Sequence, residues 1–164
     1  MTTNDNEHLR RAIAIARRAR AEGNHPFGAV LASASGEVLL TAANTVTTSR
    51  DVTGHAEINL VRLASPIFDP DTLATCTLYS STEPCAMCAG AIYWSGIGRV
   101  VYALSEQDLY RLTGADPENP TMRLGARAVL VAGQRQILVE GPVDLPEATT
   151  VHEGFWQPGK EQNR

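Results

Sequence analysis

The chain predicts an α/β fold: one mixed sheet of about five strands with helices on both faces. Two observations carry that reading. Apolar stretches of strand length alternate with stretches of helical period, and no Gly/Ser linker or internal repeat divides the 164 residues. A chain of 164 residues with 43% hydrophobic content suits one compact domain, taken as residues 1–164.

From about Glu7 to Ala21, Leu9, Ala12, Ile13, Ala16 and Ala19 share one side and the arginines surround the other, which is an amphipathic helix able to cover a sheet face. Gly23-Asn24 ends it. Gly28 to Ala32 and Val38 to Ala43 read as two strands joined by a Ser-Ala-Ser-Gly turn, with Asn44 closing the second. Gly54 to Ala64 reads as a helix stopped by Pro66, so His55 and Glu57 occupy its N-terminus. A loop rich in Pro and Asp follows, then a strand over Cys76 to Ser81. Pro84, as a first helical residue, starts a helix to about Ser95 that carries Cys85 and Cys88 on its first turn. Arg99 to Leu104 and Ala128 to Ala132 read as further strands, and Gln136 to Glu140 as an extra strand or the start of a connection. Leu112 to Met122, with its Gly, Pro, Asp and Asn, reads as a loop of the long kind that lines sites. Pro146 to Gln157 reads as a helix carrying Phe155 and Trp156.

Composition narrows the function classes. No apolar run approaches a membrane span and the N-terminus lacks a secretion-signal pattern, so the expected address is the cytoplasm. Three cysteines, two of them in one Cys-x-x-Cys pair, argue against a disulfide framework. The net charge of −4 offers no summed attraction for phosphate, and Arg10, Arg11, Arg17, Arg18 and Arg20 read as a solvated helix face. Polynucleotide substrates therefore rank below small ones.

Chemistry concentrates in His55-Ala56-Glu57 and Pro84-Cys85-Ala86-Met87-Cys88. His55, Cys85 and Cys88 supply three soft to borderline ligands, which suit zinc, and a catalytic zinc site uses three protein ligands with water in the fourth position. Glu57, two residues from the histidine, can stand beside that water as general acid and base. A Cys-x-x-Cys pair alone also suits a redox dithiol or half a zinc ribbon. The ribbon's second half is absent, and a dithiol explains neither His55 nor Glu57. A closed structural zinc site would need Cys76 or His25 as a fourth ligand.

The whole pattern resembles the cytidine deaminase-like superfamily of zinc deaminases. The resemblance runs from Pro26-Phe27-Gly28-Ala29-Val30 through Asn44, Thr53 to Ile58, and Ser81 to Trp94; within the superfamily the chain looks most like bacterial guanine deaminases and small nucleoside deaminases. It implies a three-layer α/β/α sandwich and zinc-dependent hydrolytic deamination of an exocyclic amine on a small nucleobase or nucleoside. A guanine-like purine is favoured, with cytosine or cytidine, an aminotriazine, transfer-RNA adenosine, or zinc binding without turnover as alternatives. It also implies substrate contacts from Asn44, Phe27 and the Ala56 amide, and makes Glu83 a candidate for orienting the zinc loop.

Guanine-type relatives hold the exocyclic 2-amino group with an acid in the loop after the fourth strand. Asp108, Asp116 and Glu118 are the candidates here, with no clean match to the relatives' acidic motif. A homodimer is expected by resemblance, and because the Pro84–Ser95 helix is apolar nearly all round. The segment from about 146, with Phe155 and Trp156, is expected to close the pocket as a lid.

Overall fold

The computed structural model describes residues 3–114, 116–120 and 122–156. Along the chain run α1 (Thr3–Ala21), β1 (Gly28–Ala32), β2 (Val38–Ala43), α2 (Val46–Ser49), α3 (Ala56–Ala64), α4 (Pro70–Thr75), β3 (Thr77–Thr82), α5 (Ala86–Ser95), β4 (Arg99–Leu104), α6 (Glu106–Thr113), α7 (Ala126–Leu130), β5 (Leu138–Glu140) and α8 (Pro146–Thr150). The five strands form one sheet in the order β2-β1-β3-β4-β5. β1 pairs antiparallel with both β2 and β3, while β3–β4 and β4–β5 are parallel.

Alternation along the strands divides the core in two, since successive side chains leave opposite faces of a pleated sheet. Ala29, Leu31, Leu78 and Val100 pack beneath α3, α5 and α7, with Leu60, Ile92 and Leu130. Val30, Ala32, Tyr79 and Val101 meet Leu9, Ala12, Ile13 and Ala16 of α1, with Leu109 and Ala148. This is the three-layer sandwich. α1 approaches β1 so closely that a Cβ on Gly28 would lie 2.3 Å from the Ala12 carbonyl oxygen, so only glycine fits there.

The Ala128–Ala132 strand is corrected: those residues belong to α7 and the turn after it. Short apolar runs do not distinguish strand from helix by pattern, and here Ala126 and Leu130, four apart, are the buried pair. Three short helices, α2, α4 and α6, stand where loops were expected. α4 and α6 have side-chain caps, Asp69 accepting from the Thr72 amide and Ser105 from the Asp108 amide. α5 begins one residue past its Cys85 cap, leaving Pro84 outside the helix. α8 ends at Thr150 and turns carry the chain to Phe155; Gln157, the expected end of that helix, lies outside the described residues. No helix among the described residues is long and apolar enough to cross a membrane.

Candidate metal centre and adjoining cavity

Two helix N-termini converge beyond one end of the sheet. His55 caps α3 and Cys85 caps α5, both with extended backbone, and Cys88 follows on the first turn of α5. Gly54, before the histidine, sits so close to Thr45 that a Cβ would lie 2.8 Å from its hydroxyl. Asn59 of α3 donates to the Ala43 carbonyl at 2.9 Å, which ties the histidine's helix to the end of β2.

His55 Nδ1 lies 3.6 Å from Cys85 Sγ and 3.5 Å from Cys88 Sγ. The three ligand atoms all fall within 4.8 Å of one another, a spacing that a single ion can bridge. An imidazole nitrogen and two sulfurs are the donor set zinc prefers, and three donors leave room for an exogenous fourth. A hydrogen bond from Cys88 and the nearby His55 bring the Cys85 thiol down to about 4. Donating to Cys85, burial and the Glu57 charge push Cys88 up.

Glu57 is 4% exposed. Its Oε1 accepts from Ser80 Oγ of β3 at 2.8 Å, and its Oε2 from Cys88 Sγ at 3.5 Å. Burial first, then the Cys85 charge, raise its proton affinity, as expected of a carboxyl that must take and return a proton.

An open cavity of about 400 Å³ adjoins these groups, with His25, Phe27, Glu106, Leu109 and Glu118 in its wall. Glu83, itself part of that wall, holds it together. Its Oε2 accepts from the Glu106 amide at 3.1 Å and its Oε1 from the Ala126 amide at 2.9 Å. A Cβ on Gly125 would lie 2.7 Å from Glu83 Oε1. One carboxylate therefore joins the metal loop to the first residues of α6 and α7. Burial, and next the Cys85 charge, push Glu106 up to about 7; zinc on Cys85 would offset the second cause.

The expected site residues divide. His55, Glu57, Cys85, Cys88 and Phe27 border the cavity. Ala56 is fully buried on the first turn of α3 between His55 and Glu57. Asn44 is buried, its Oδ1 accepting from the Val46 amide at 3.1 Å, while Nδ2 has no protein partner among the described residues. Asp116 is buried at the base of the 116–120 loop, accepting from the Glu118 amide, whereas Glu118 reaches the cavity. Asp108 does not line this cavity: it is bound to Ser105 and Arg111 on α6 and lines a different depression, because a carboxylate in a first helical turn is held by its own cap. Phe155 and Trp156 do not line the cavity. They stand behind it, Trp156 5.3 Å from the His25 ring and 6.1 Å from Phe27, with the Trp156 indole donating to His152 Nδ1 at 3.1 Å.

Two titratable wall residues went unassigned from sequence. His25 Nε2 meets Glu118 Oε2 at 3.1 Å across 93 positions, and no local pattern signals such a pair. Glu106 carries one signal, its position as the first helical residue after a serine cap at the end of β4.

A cradle of one imidazole, two sulfurs and a buried carboxyl on two facing helix ends, set on a three-layer sandwich, defines the zinc deaminases as a class. Residues 2–104 match the family described as "Cytidine and deoxycytidylate deaminase zinc-binding region". The chain belongs to that family. It is 42% identical to a probable cytosine deaminase of Schizosaccharomyces pombe over 160 residues, covering 98% of this chain and 97% of that one. It is 41% identical to a guanine deaminase of Bacillus subtilis over 106 residues, 64% of this chain and 67% of that one. Among solved structures, a guanine deaminase from Nitrosomonas europaea superposes with a TM-score of 0.72 at 28% identity, covering 88% of this chain and 80% of that one.

Proposed function

We propose that the protein hydrolytically deaminates a small nucleobase or nucleoside, a guanine-like purine in preference, releasing ammonia. The observation that carries this is the Glu57 carboxyl, buried beside the His55, Cys85 and Cys88 ligand atoms yet open to the cavity. Zinc held by those three residues would supply Lewis acidity toward a water molecule. Glu57 accepts the proton released, then returns protons to a ring nitrogen and to the departing amine. Ser80 orients Glu57 through its 2.8 Å hydrogen bond. Phe27 offers a flat face to a planar ring, and the unpartnered Asn44 amide nitrogen is a donor for a ring acceptor. The guanine preference is supported by Glu118, a carboxylate on the loop after α6 that borders the cavity, where a 2-amino group would need an acceptor. Cytosine is the second reading, favoured by the Schizosaccharomyces pombe relative that matches along almost the whole chain.

Ammonia release from aminopurines, aminopyrimidines, their nucleosides and an anticodon stem-loop decides among these. Turnover of guanine above the rest is expected. Highest turnover of cytosine moves the assignment to the second reading, and turnover of the stem-loop alone rejects both.

A further inference from the structure

We propose that the cavity beside the metal ligands accepts an amino heterocycle only without a phosphate group, and that the Glu106 carboxylate enforces this exclusion. The proposal rests on the deaminase reading above and narrows its substrate class. The family's description spans cytidine and its phosphorylated deoxy counterpart, so family membership leaves the phosphate open.

No lysine or arginine lines the cavity among the described residues, whereas Glu57, Glu83, Glu106 and Glu118 all do. The formal charges of zinc and two thiolates cancel, so the metal centre leaves no net positive charge for an anion. Of the two histidines in the wall, His55 is a metal ligand, and burial draws His25 toward its neutral form. Glu83 holds two backbone amides and Glu118 meets His25. Glu106 differs from both. Among the described residues no side chain hydrogen-bonds or ion-pairs with its carboxylate.

The cation nearest this arrangement by lining is Arg123, in a neighbouring depression that shares Glu83 and Glu106 with the cavity. Glu106 thus borders both spaces while the arginine borders one. Arg123 also lies 6.0 Å over the Tyr110 ring, a contact that favours keeping it where it is. A phosphate entering the cavity would face unscreened like charge and exchange its hydration for no cationic partner. An uncharged base meets the same carboxylates as hydrogen-bond acceptors for its N–H groups.

The test uses the zinc-loaded full chain at pH 8. Guanine, guanosine and guanosine 5′-monophosphate, and the matching cytosine series, are compared by ammonia release. Calorimetric binding of the deaminated products provides a readout independent of turnover. A 5′-phosphate is expected to weaken kcat/KM and product binding at least about a hundredfold relative to the nucleoside, the scale of juxtaposed like charges. Glu106→Gln should close at least about tenfold of that gap. Should the variant not fold, added salt on the native protein must narrow the gap instead, since screening weakens the repulsion.

Equal use or equal binding of nucleoside and monophosphate overturns the exclusion. A gap unchanged in Glu106→Gln, or rejection of nucleoside and monophosphate alike, overturns the role of Glu106 and leaves size as the selector. Absence of ammonia from every compound fails the deaminase reading itself, and the product-binding comparison still decides the exclusion.

Discussion

Ser80 Oγ donates to Glu57 Oε1 at 2.8 Å, joining the middle of the sheet to a carboxyl buried beside the metal ligands. That bond fixes the carboxyl's direction without occupying its second oxygen. Glu57→Gln preserves shape while removing the proton carrier, so zinc content by metal analysis should stay at one per chain. Turnover should fall by about a thousandfold or more, within the range general acid–base catalysis supplies. Retained turnover would remove Glu57 from the mechanism.

Glu83 ties the metal loop to α6 and α7 through the Glu106 and Ala126 amides. Glu83→Ala leaves both amides without their acceptor and should cost about 2 kcal/mol in denaturant unfolding. Glu83→Gln keeps one acceptor oxygen and should cost about half as much. In both variants KM should rise more than kcat falls, because the clasp sets the cavity wall and not the proton carrier.

His152 is 1% exposed, and burial holds its pKa down at about 4, well under the ordinary 6.5. Between those values the unfolded chain binds a proton that the folded chain refuses. The stability associated with neutral His152 is therefore fully present above pH 6.5 and is lost as pH falls toward 4, by at most about 3 kcal/mol. Urea midpoints measured from pH 7 to pH 4 should show this loss. His152→Gln should flatten it.

Residues 151–156 pack on the domain and support the cavity wall from behind. Val151, His152 and Trp156 are buried, and Arg20 donates to the Val151 and Glu153 carbonyls at 2.8 Å each. Trp156→Ala should lower stability by about 3 to 5 kcal/mol, the usual cost of emptying a large aromatic site. It should also lower activity, since His25 and Phe27 lose the ring they lean on. Truncation before His152 with full stability and weaker turnover would instead support a lid.

Trp94 is 82% exposed on α5 and Met87 is 40% exposed on the same helix. We propose that a second copy of the chain covers this helix. Light scattering at micromolar concentration should give twice the mass expected from 17.6 kDa, and Trp94→Glu should halve it. A native monomer would reject the dimer.

Much was legible in the sequence because it is local. The hairpin strands and β4 have the bounds that alternation and turn residues predict. His55 and Glu57 sit two apart, and Cys85 and Cys88 three apart, so one helical turn brings each pair to the same end of its helix. Residue chemistry then names the metal. α7 was misread because five apolar-rich residues satisfy either period until a neighbour chooses, and the Glu83 acceptor on the Ala126 amide starts a helix there.

The sequence by itself determined the candidate ligand set, the candidate proton carrier and the bounds of the first hairpin and β4, since these follow from spacing and side-chain chemistry along short stretches. Only the tertiary structure decided which acids face the cavity. Asp108 and Glu106 are two residues apart on one short helix, yet a serine cap and Arg111 hold the first away while the second opens into the site. The same is true of His25, which meets Glu118 across 93 residues, and of Trp156, set behind Phe27 and not over the pocket. Long-range packing directs His25 and Trp156, and no local pattern records the partner that lies on the other side of the fold.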